Sequence, residues 1–268
     1  MKKSSVVSIF PRKLVKVLCA ACALTLFSFS FAAADNAEAI AQKVYDRDDG
    51  RDSYSKIKMT LIDRSNNRRD RELEVAIKDF GKVSKGYIYF SSPAAIKGTA
   101  FLSWENEDRE DDQFLFLPAL GRVRRIVSSQ KDRSFVNTDY SYEDLERRKV
   151  SDYSYRILRT EKLLGRTCWV LESHPKTGRV SQYGRFISWV AQDSFVPIKI
   201  EFFDLKNRLI KLFQVKELKQ IDGIWTVTWS IMKGIKSGHQ TEIKVAEIKY
   251  NQGLSDDLFT QRQLERRK

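Results

Sequence analysis

The sequence predicts a mainly β protein: one antiparallel sheet that curls into a barrel or half-barrel, with only a few helices. Three observations predict it. A succession of short segments alternates apolar and polar residues with a period of two. Turn signals separate them, among them Lys176-Thr-Gly178, Leu205-Lys-Asn207, Ile221-Asp-Gly223 and Ser237-Gly238. The intervals are too short for the helical crossovers that a parallel sheet needs.

The chain has 268 residues. It opens with Lys2, Lys3, Arg12, Lys13 and Lys16, followed by the apolar-to-small run Val17–Ala34. That order is a secretory leader. Ala32 and Ala34 give the cleavage pattern, so residues 1–34 are expected to be removed and residues 35–268 to form a single domain. Ala37-Glu38-Ala39 is a weaker second site. The run falls short of the roughly 20 apolar residues of an anchor helix. Neither Cys19 nor Cys22 has the flanking residues of a lipoprotein signal. Export makes a periplasmic location the expectation.

From Asp35 to Asp46, Ala37, Ile40, Ala41, Val44 and Tyr45 recur at helical spacing, with Asp35 or Asn36 placed to cap. After Asp48-Asp49-Gly50 the period becomes two. Ile57, Met59 and Leu61 alternate with polar residues, then Leu73, Val75 and Ile77 do so beyond the turn at Arg64–Arg68, giving a half-buried hairpin. Strands are expected at Gly86–Ser91, Thr99–Glu105, Gln113–Leu117 and Arg122–Val127. A second series covers Tyr153–Thr160, Thr167–Ser173, Arg185–Val190, Pro197–Asp204, Arg208–Glu217, Trp225–Met232 and Thr241–Tyr250. The longer interval Ser128–Lys149 holds a candidate short helix from Ser141 to Arg148, with Ser141 as cap and Glu143 and Asp144 in the first turn. Ser255–Leu264 reads as a terminal helical turn or two.

The net charge is +13, and removing the five leader charges leaves +8. The basic residues alternate along the strands rather than forming one run, so a solvated face is expected and nucleic acid is not. Cys168 is the one thiol beyond the leader and reads as a small buried hydrophobe. His174 and His239 occupy expected turns and are too few for a histidine metal cluster. No phosphate-binding glycine motif and no G-x-S-x-G elbow is present. The expectation is a protein that is not an enzyme and carries no cofactor or metal. The acidic run Glu105–Asp112 lacks the ligand spacing and glycine of a calcium loop. It reads as a solvated hairpin loop, or one tied down by pairing of Asp111 and Asp112 with Arg122, Arg124 or Arg125.

The apolar inventory says more. A sheet with one apolar face must cover it, and the available helices are few. A curved apolar face with a thin cover can leave a cavity for small apolar ligands or acyl chains. A filled core is the alternative, and periodicity leaves both open. The candidate lining residues are Met59, Leu61, Val75, Ile77, Ile200, Phe202, Trp225, Val227 and Trp229.

Several segments carry a resemblance: Gly98–Glu105, Asp111–Ile126, Ser134-Phe135 with Asp139–Leu145, Phe202–Asp204, Leu209–Lys211, Gly238–Thr241 and Phe259–Leu264. Together they span most of the chain beyond the leader, and Asp111–Ile126 is the most distinctive. The sequence resembles the outer membrane lipoprotein-sorting protein family, a LolA-like group of periplasmic proteins. The resemblance implies an unclosed half-barrel of the LolA/LolB type with helices across its opening and an apolar cavity for acyl chains. It also implies a monomeric carrier or chaperone for a lipid or lipoprotein. The alternative it suggests is a docking or regulatory subunit of an inner-membrane transporter of the resistance-nodulation-division (RND) type. The surface for that partner would be Arg122, Arg124, Arg125, Asp139, Tyr142, Glu143 and Asp144. The chain departs from the family pattern at Asn137-Thr138, where small residues such as Gly-Ser are expected. No functional residue of the carrier is transferred to this chain.

Overall fold

The computed structural model describes residues 37–266; the expected leader lies outside them. Residues 37–45 are helical (α1), with Ala37, Ile40 and Ala41 buried. All described strands join one antiparallel sheet of 13. They are β1 (Asp52–Ile62), β2 (Arg68–Phe80), β3 (Val83–Ser92), β4 (Ala100–Trp104), β5 (Asp112–Leu117) and β6 (Arg122–Ile126). After a long interval come β7 (Tyr153–Leu163), β8 (Arg166–Pro175), β9 (Tyr183–Ala191) and β10 (Pro197–Asp204). The series ends with β11 (Leu209–Ile221), β12 (Ile224–Gly234) and β13 (Gln240–Tyr250).

Their spatial order is β6-β5-β4-β3-β2-β1-β13-β12-β11-β10-β9-β8-β7. Strands β1 and β13 meet in the middle, while β6 and β7, consecutive in sequence, form opposite edges. The barrel is therefore unclosed. Two-residue hairpin turns join β7 to β8 and β11 to β12. Leu164 and Gly165 have φ of 50° and 74°, and Asp222 and Gly223 have 51° and 82°. Positive φ at both central positions matches the twist of the flanking strands.

Cross-strand register defines the inner face. Leu61 faces Thr241, Thr241 faces Met232, Met232 faces Phe213, and Phe213 faces Ile200. The row continues through Ser188 and Leu171 to Ile157. Directly opposed residues share a face, so one row of side chains crosses eight strands on the inner side.

Residues 127–152 run from one sheet edge to the other across this inner face and are called the strap below. Over β1–β6 the strap fills the curve: Phe135 and Tyr142 pack with Met59, Leu61, Leu73, Phe90, Phe101, Leu115 and Ile126. The expected helix at Ser141–Arg148 is reduced to a single 3-10 turn, Glu143–Leu145. The Asp144 carboxylate accepts from both the Ser141 N–H (2.8 Å) and its hydroxyl (2.9 Å). Val136 and Asn137 take left-handed φ of 47° and 59°. Glycine suits that conformation, as does asparagine, which fits Asn137 to the position where the family pattern has Gly.

The outer face of the same strands is covered as well. Ala76, Tyr87, Ala100, Leu102, Phe114 and Phe116 pack against Phe259 and Leu264, from the 3-10 turn Asp256–Phe259 and α2 (Gln261–Arg266). Trp104 Nε1 donates to the Phe259 carbonyl at 2.9 Å. The C-terminal helix thus covers the back of the sheet and not its opening.

Candidate functional site

Over β7–β12 the inner face is not filled. A cavity of about 320 Å³ lies between the sheet, α1 and the strap. Leu171 and Ser173 of β8, Ser188 and Val190 of β9, Ile200 and Phe202 of β10, Phe213 of β11 and Met232 of β12 form its floor. Ala41, Val44 and Tyr45 of α1 and Tyr140, Asp144, Glu146, Arg147 and Arg148 of the strap form its roof, with Tyr155 of edge strand β7 beside them. Its size sits at the lower end of the range for small-molecule sites. The lining is mostly apolar, with charges confined to the roof.

The roof is held by hydrogen bonds at its ends. Helix α1 is anchored by Ala37 and Ile40, which pack on Leu171 and Val190. At its other end the Tyr45 hydroxyl donates to Glu105, and Arg147 donates to the Tyr45 carbonyl at 2.6 Å. Burial and the Glu105 carboxylate push the Tyr45 hydroxyl up to about 12, so it stays a donor at neutral pH. Glu105 also accepts from the Ser84 N–H and hydroxyl, both at 2.9 Å. The strap is pinned by its acids. Glu143 accepts from Ser181 and from the Gln182 N–H. Asp144 accepts from the Tyr183 hydroxyl at 2.7 Å and from Lys211 at 2.7 Å. Glu146 lies 2.6 Å from Lys131 and 2.8 Å from Arg179.

Of the nine residues expected to line a cavity, Ile200 and Phe202 do so. Met59 and Leu61 are on the inner face but in its solid half, with Val75 packed against them. Ile77 is exposed. Trp225, Val227 and Trp229 lie on the opposite face of β12, where Trp225 and Val227 pack near Cys168, Val170 and Trp189. The buried positions of β12 are the alternate ones, Ile224, Thr226, Thr228, Ser230 and Met232. The alternation on β12 has the phase opposite to the one expected, because polar side chains point inward here and find partners. Ser230 bonds the Tyr140 hydroxyl, and Thr226 meets the Tyr250 hydroxyl at 2.7 Å. On the outside, Lys244 lies 4.5 Å from the Trp229 ring and Arg166 4.4 Å from Trp225, so a cation lies against each of those rings.

The residues expected to form a partner surface are largely turned inward. Tyr142 and Glu143 are buried. Asp144 is engaged as above, and Asp139 meets His239 Nδ1 at 2.9 Å and accepts from Thr241 at 2.8 Å. Arg122 and Arg125 are exposed and Arg124 is half-buried. Arg125 pairs with Asp112 at 2.6 Å, the tie expected between that loop and the next strand. The tip of the acidic run is exposed and its base is buried. Arg109 and Arg125 hold Asp112 down at about 2. Burial and nearby Glu146 push Asp111 up to about 6. His174 sits within β8, not in a turn. Cys168 is fully buried, and burial pushes its thiol up. Among the described residues no cluster of His, Cys, Asp and Glu is arranged to hold a metal, and no helix is long and apolar enough to cross a membrane.

A family model described as "uncharacterized protein" matches residues 82–266. A DUF1329 family protein from Desulfovibrio piger has 32% sequence identity and a TM-score of 0.83, over 87% of this chain and 99% of that one. The chain belongs to the DUF1329 family. A protein from Vibrio parahaemolyticus described as an outer membrane lipoprotein-sorting protein domain is also 32% identical, with a TM-score of 0.82, over 87% of this chain and 100% of that one. A LolA superfamily protein from Nitrosomonas europaea shares the fold at 23% identity and a TM-score of 0.67, over 85% and 98% of the two chains. Among proteins of curated function, none matches. This DUF1329 protein thus has a LolA-like architecture, as its sequence motifs imply.

Proposed function

We propose that this DUF1329 protein is a periplasmic carrier that shelters an acyl chain of a lipid or lipoprotein in the cavity beneath α1 and the strap. The observation that carries the reading is the contrast between the two halves of one inner face. The strap packs Phe135 and Tyr142 into the first half, and leaves an apolar hollow of about 320 Å³ over the second. The lipoprotein-sorting description of the Vibrio relative supports the same reading.

Carrying needs no covalent step, so the protein acts as a binding module and not as a catalyst. Desolvation supplies the affinity, at roughly 0.8 kcal/mol per buried methylene. Ten methylenes give about 8 kcal/mol, which after the cost of association suits a carrier that must also release its cargo. Entry requires α1 to swing from its contacts at Tyr45. The docking alternative has less to rest on, because Asp139, Tyr142, Glu143 and Asp144 serve internal bonds.

Protein purified from its native host, extracted with organic solvent and examined by lipid mass spectrometry, is expected to yield acyl-chain lipid in near-stoichiometric amount. Recombinant protein stripped of lipid is expected to bind a fluorescent fatty acid. An empty extract together with no fluorescent binding overturns the proposal.

A further inference from the structure

The cavity roof contains one arginine whose charge no described residue answers, and this specifies the head of the ligand; the inference rests on the carrier reading. Three arginines line the cavity: Arg47, Arg147 and Arg148. Arg47 lies 3.9 Å from Asp49. Arg147 lies 3.8 Å from Glu105 and donates to the Ser84 hydroxyl and the Tyr45 carbonyl. Arg148 has neither a carboxylate nor a hydrogen-bond acceptor among the described residues. The acids that share the roof are committed elsewhere, Asp144 to Lys211 and Glu146 to Lys131 and Arg179.

The aromatic floor positions Arg148. Its guanidinium lies 4.1 Å from the centre of the Phe186 ring and 5.3 Å from that of Phe202. Both rings are fully buried. Ring faces hold a guanidinium by its plane and leave its N–H edge free to donate. A half-buried cation set between apolar walls without a counter-ion is costly, and a ligand oxyanion that pairs with it removes that cost.

We infer that Arg148 is the recognition residue for the anionic head, a carboxylate or a phosphate, of a single-chain amphiphile whose hydrocarbon lies along Ile200, Phe202 and Phe213. A cavity of about 320 Å³ fits one such chain better than the several chains of a lipidated protein.

The test displaces a fluorescent fatty acid, cis-parinaric acid, from the stripped protein with palmitate, hexadecyl phosphate or methyl palmitate. Palmitate or hexadecyl phosphate is expected to bind at least about ten-fold more tightly than the uncharged ester. The better of the two identifies carboxylate or phosphate as the natural head. In Arg148→Gln that preference is expected to shrink to within about two-fold while ester binding is unchanged, and Arg148→Lys should retain part of it. Equal binding of acid and ester by the parent protein, or a preference that survives in Arg148→Gln, overturns the inference and leaves the carrier reading standing. Failure of the probe and of all three competitors to bind removes the carrier reading and the inference with it. Should Arg148→Gln not fold, as judged by circular dichroism, the parent comparison and Arg148→Lys decide.

Discussion

Arg147 donates from Nη2 to the carbonyl oxygen of Tyr45 at 2.6 Å, and its guanidinium lies 4.3 Å from the centre of that same tyrosine's ring. The strap therefore grips the last turn of α1 by backbone and side chain together. The grip sits at the helix end nearest Gly50, a residue with φ of 80° where the chain turns into β1. Toward its other end the helix packs Ala37 and Ile40 against Leu171 and Val190, so Arg147 is the natural polar latch.

Replacing the latch should loosen the helix and leave the sheet intact. Arg147→Met is expected to cost about 1–2 kcal/mol locally. Amide hydrogen exchange in residues 37–45 should then accelerate about ten-fold with little change in global melting temperature. Unaltered exchange there would show that other contacts hold α1.

Filling the cavity should separate uptake from folding. Ser188 lies on its floor, facing Leu171 and Ile200 across the neighbouring strands. Ser188→Trp is expected to weaken binding of a fluorescent fatty acid by at least about ten-fold, with an overpacking cost of about 1–3 kcal/mol in denaturant titration. Trp229→Phe, on the opposite face, is the matched control and should bind as the parent does. Equal losses in both variants would argue against the cavity as the site.

The solid half behaves as core. Phe135 is buried among Phe90, Phe101 and Tyr142, with ring centres 5.2–5.9 Å away. Phe135→Ala should destabilise the protein by about 3–5 kcal/mol in urea unfolding. A loss below about 1 kcal/mol would mean that the strap is not part of the cooperative unit.

Two neighbouring acids should have opposite effects on acid stability. Folded Asp111 titrates at about 6 against an ordinary 3.8, so between those pH values the folded state holds more protons than the unfolded one. Its contribution therefore falls as pH rises from about 4 to about 6 and stays lost above. Asp111→Asn should gain up to about 2 kcal/mol over the parent at neutral pH and converge with it below about pH 4. Asp112, held at about 2, gives stability that is present above pH 4 and disappears as pH falls toward 2. Asp112→Asn should cost about 1–2 kcal/mol at neutral pH and converge in acid. Urea titrations across pH 2–8 check both signs.

The β architecture was legible in the sequence because alternation reports half-burial directly, and every expected strand lies within or overlaps an observed one. The phase of β12 was not. Trp225, Val227 and Trp229 look like a core stripe, but Thr226, Thr228 and Ser230 take the inside and satisfy their hydroxyls there. Which of two alternating sets points inward depends on partners from other strands, which periodicity does not contain. The strap was illegible for a related reason. Ser141–Arg148 reads as a short helix from its cap and end charges, whereas Asp144, Glu146 and Arg147 are paired across the concavity with Lys211, Arg179 and Glu105. Arg148 carries no signal in the sequence, since its distinction is that no described residue offers it a counter-charge.

The central pairing of β1 with β13 has a consequence for how the molecule is made. Ser53 faces Tyr250 and Ile62 faces Gln240, so the two halves of the sheet are joined by a seam whose sides emerge at opposite ends of synthesis. Each half can zip up hairpin by hairpin, but the seam must wait for its last strand. Until then β1 waits with one flank unpaired, the situation in which nascent β proteins are most exposed to aggregation. Chaperone dependence should therefore be greatest just before the final strand arrives.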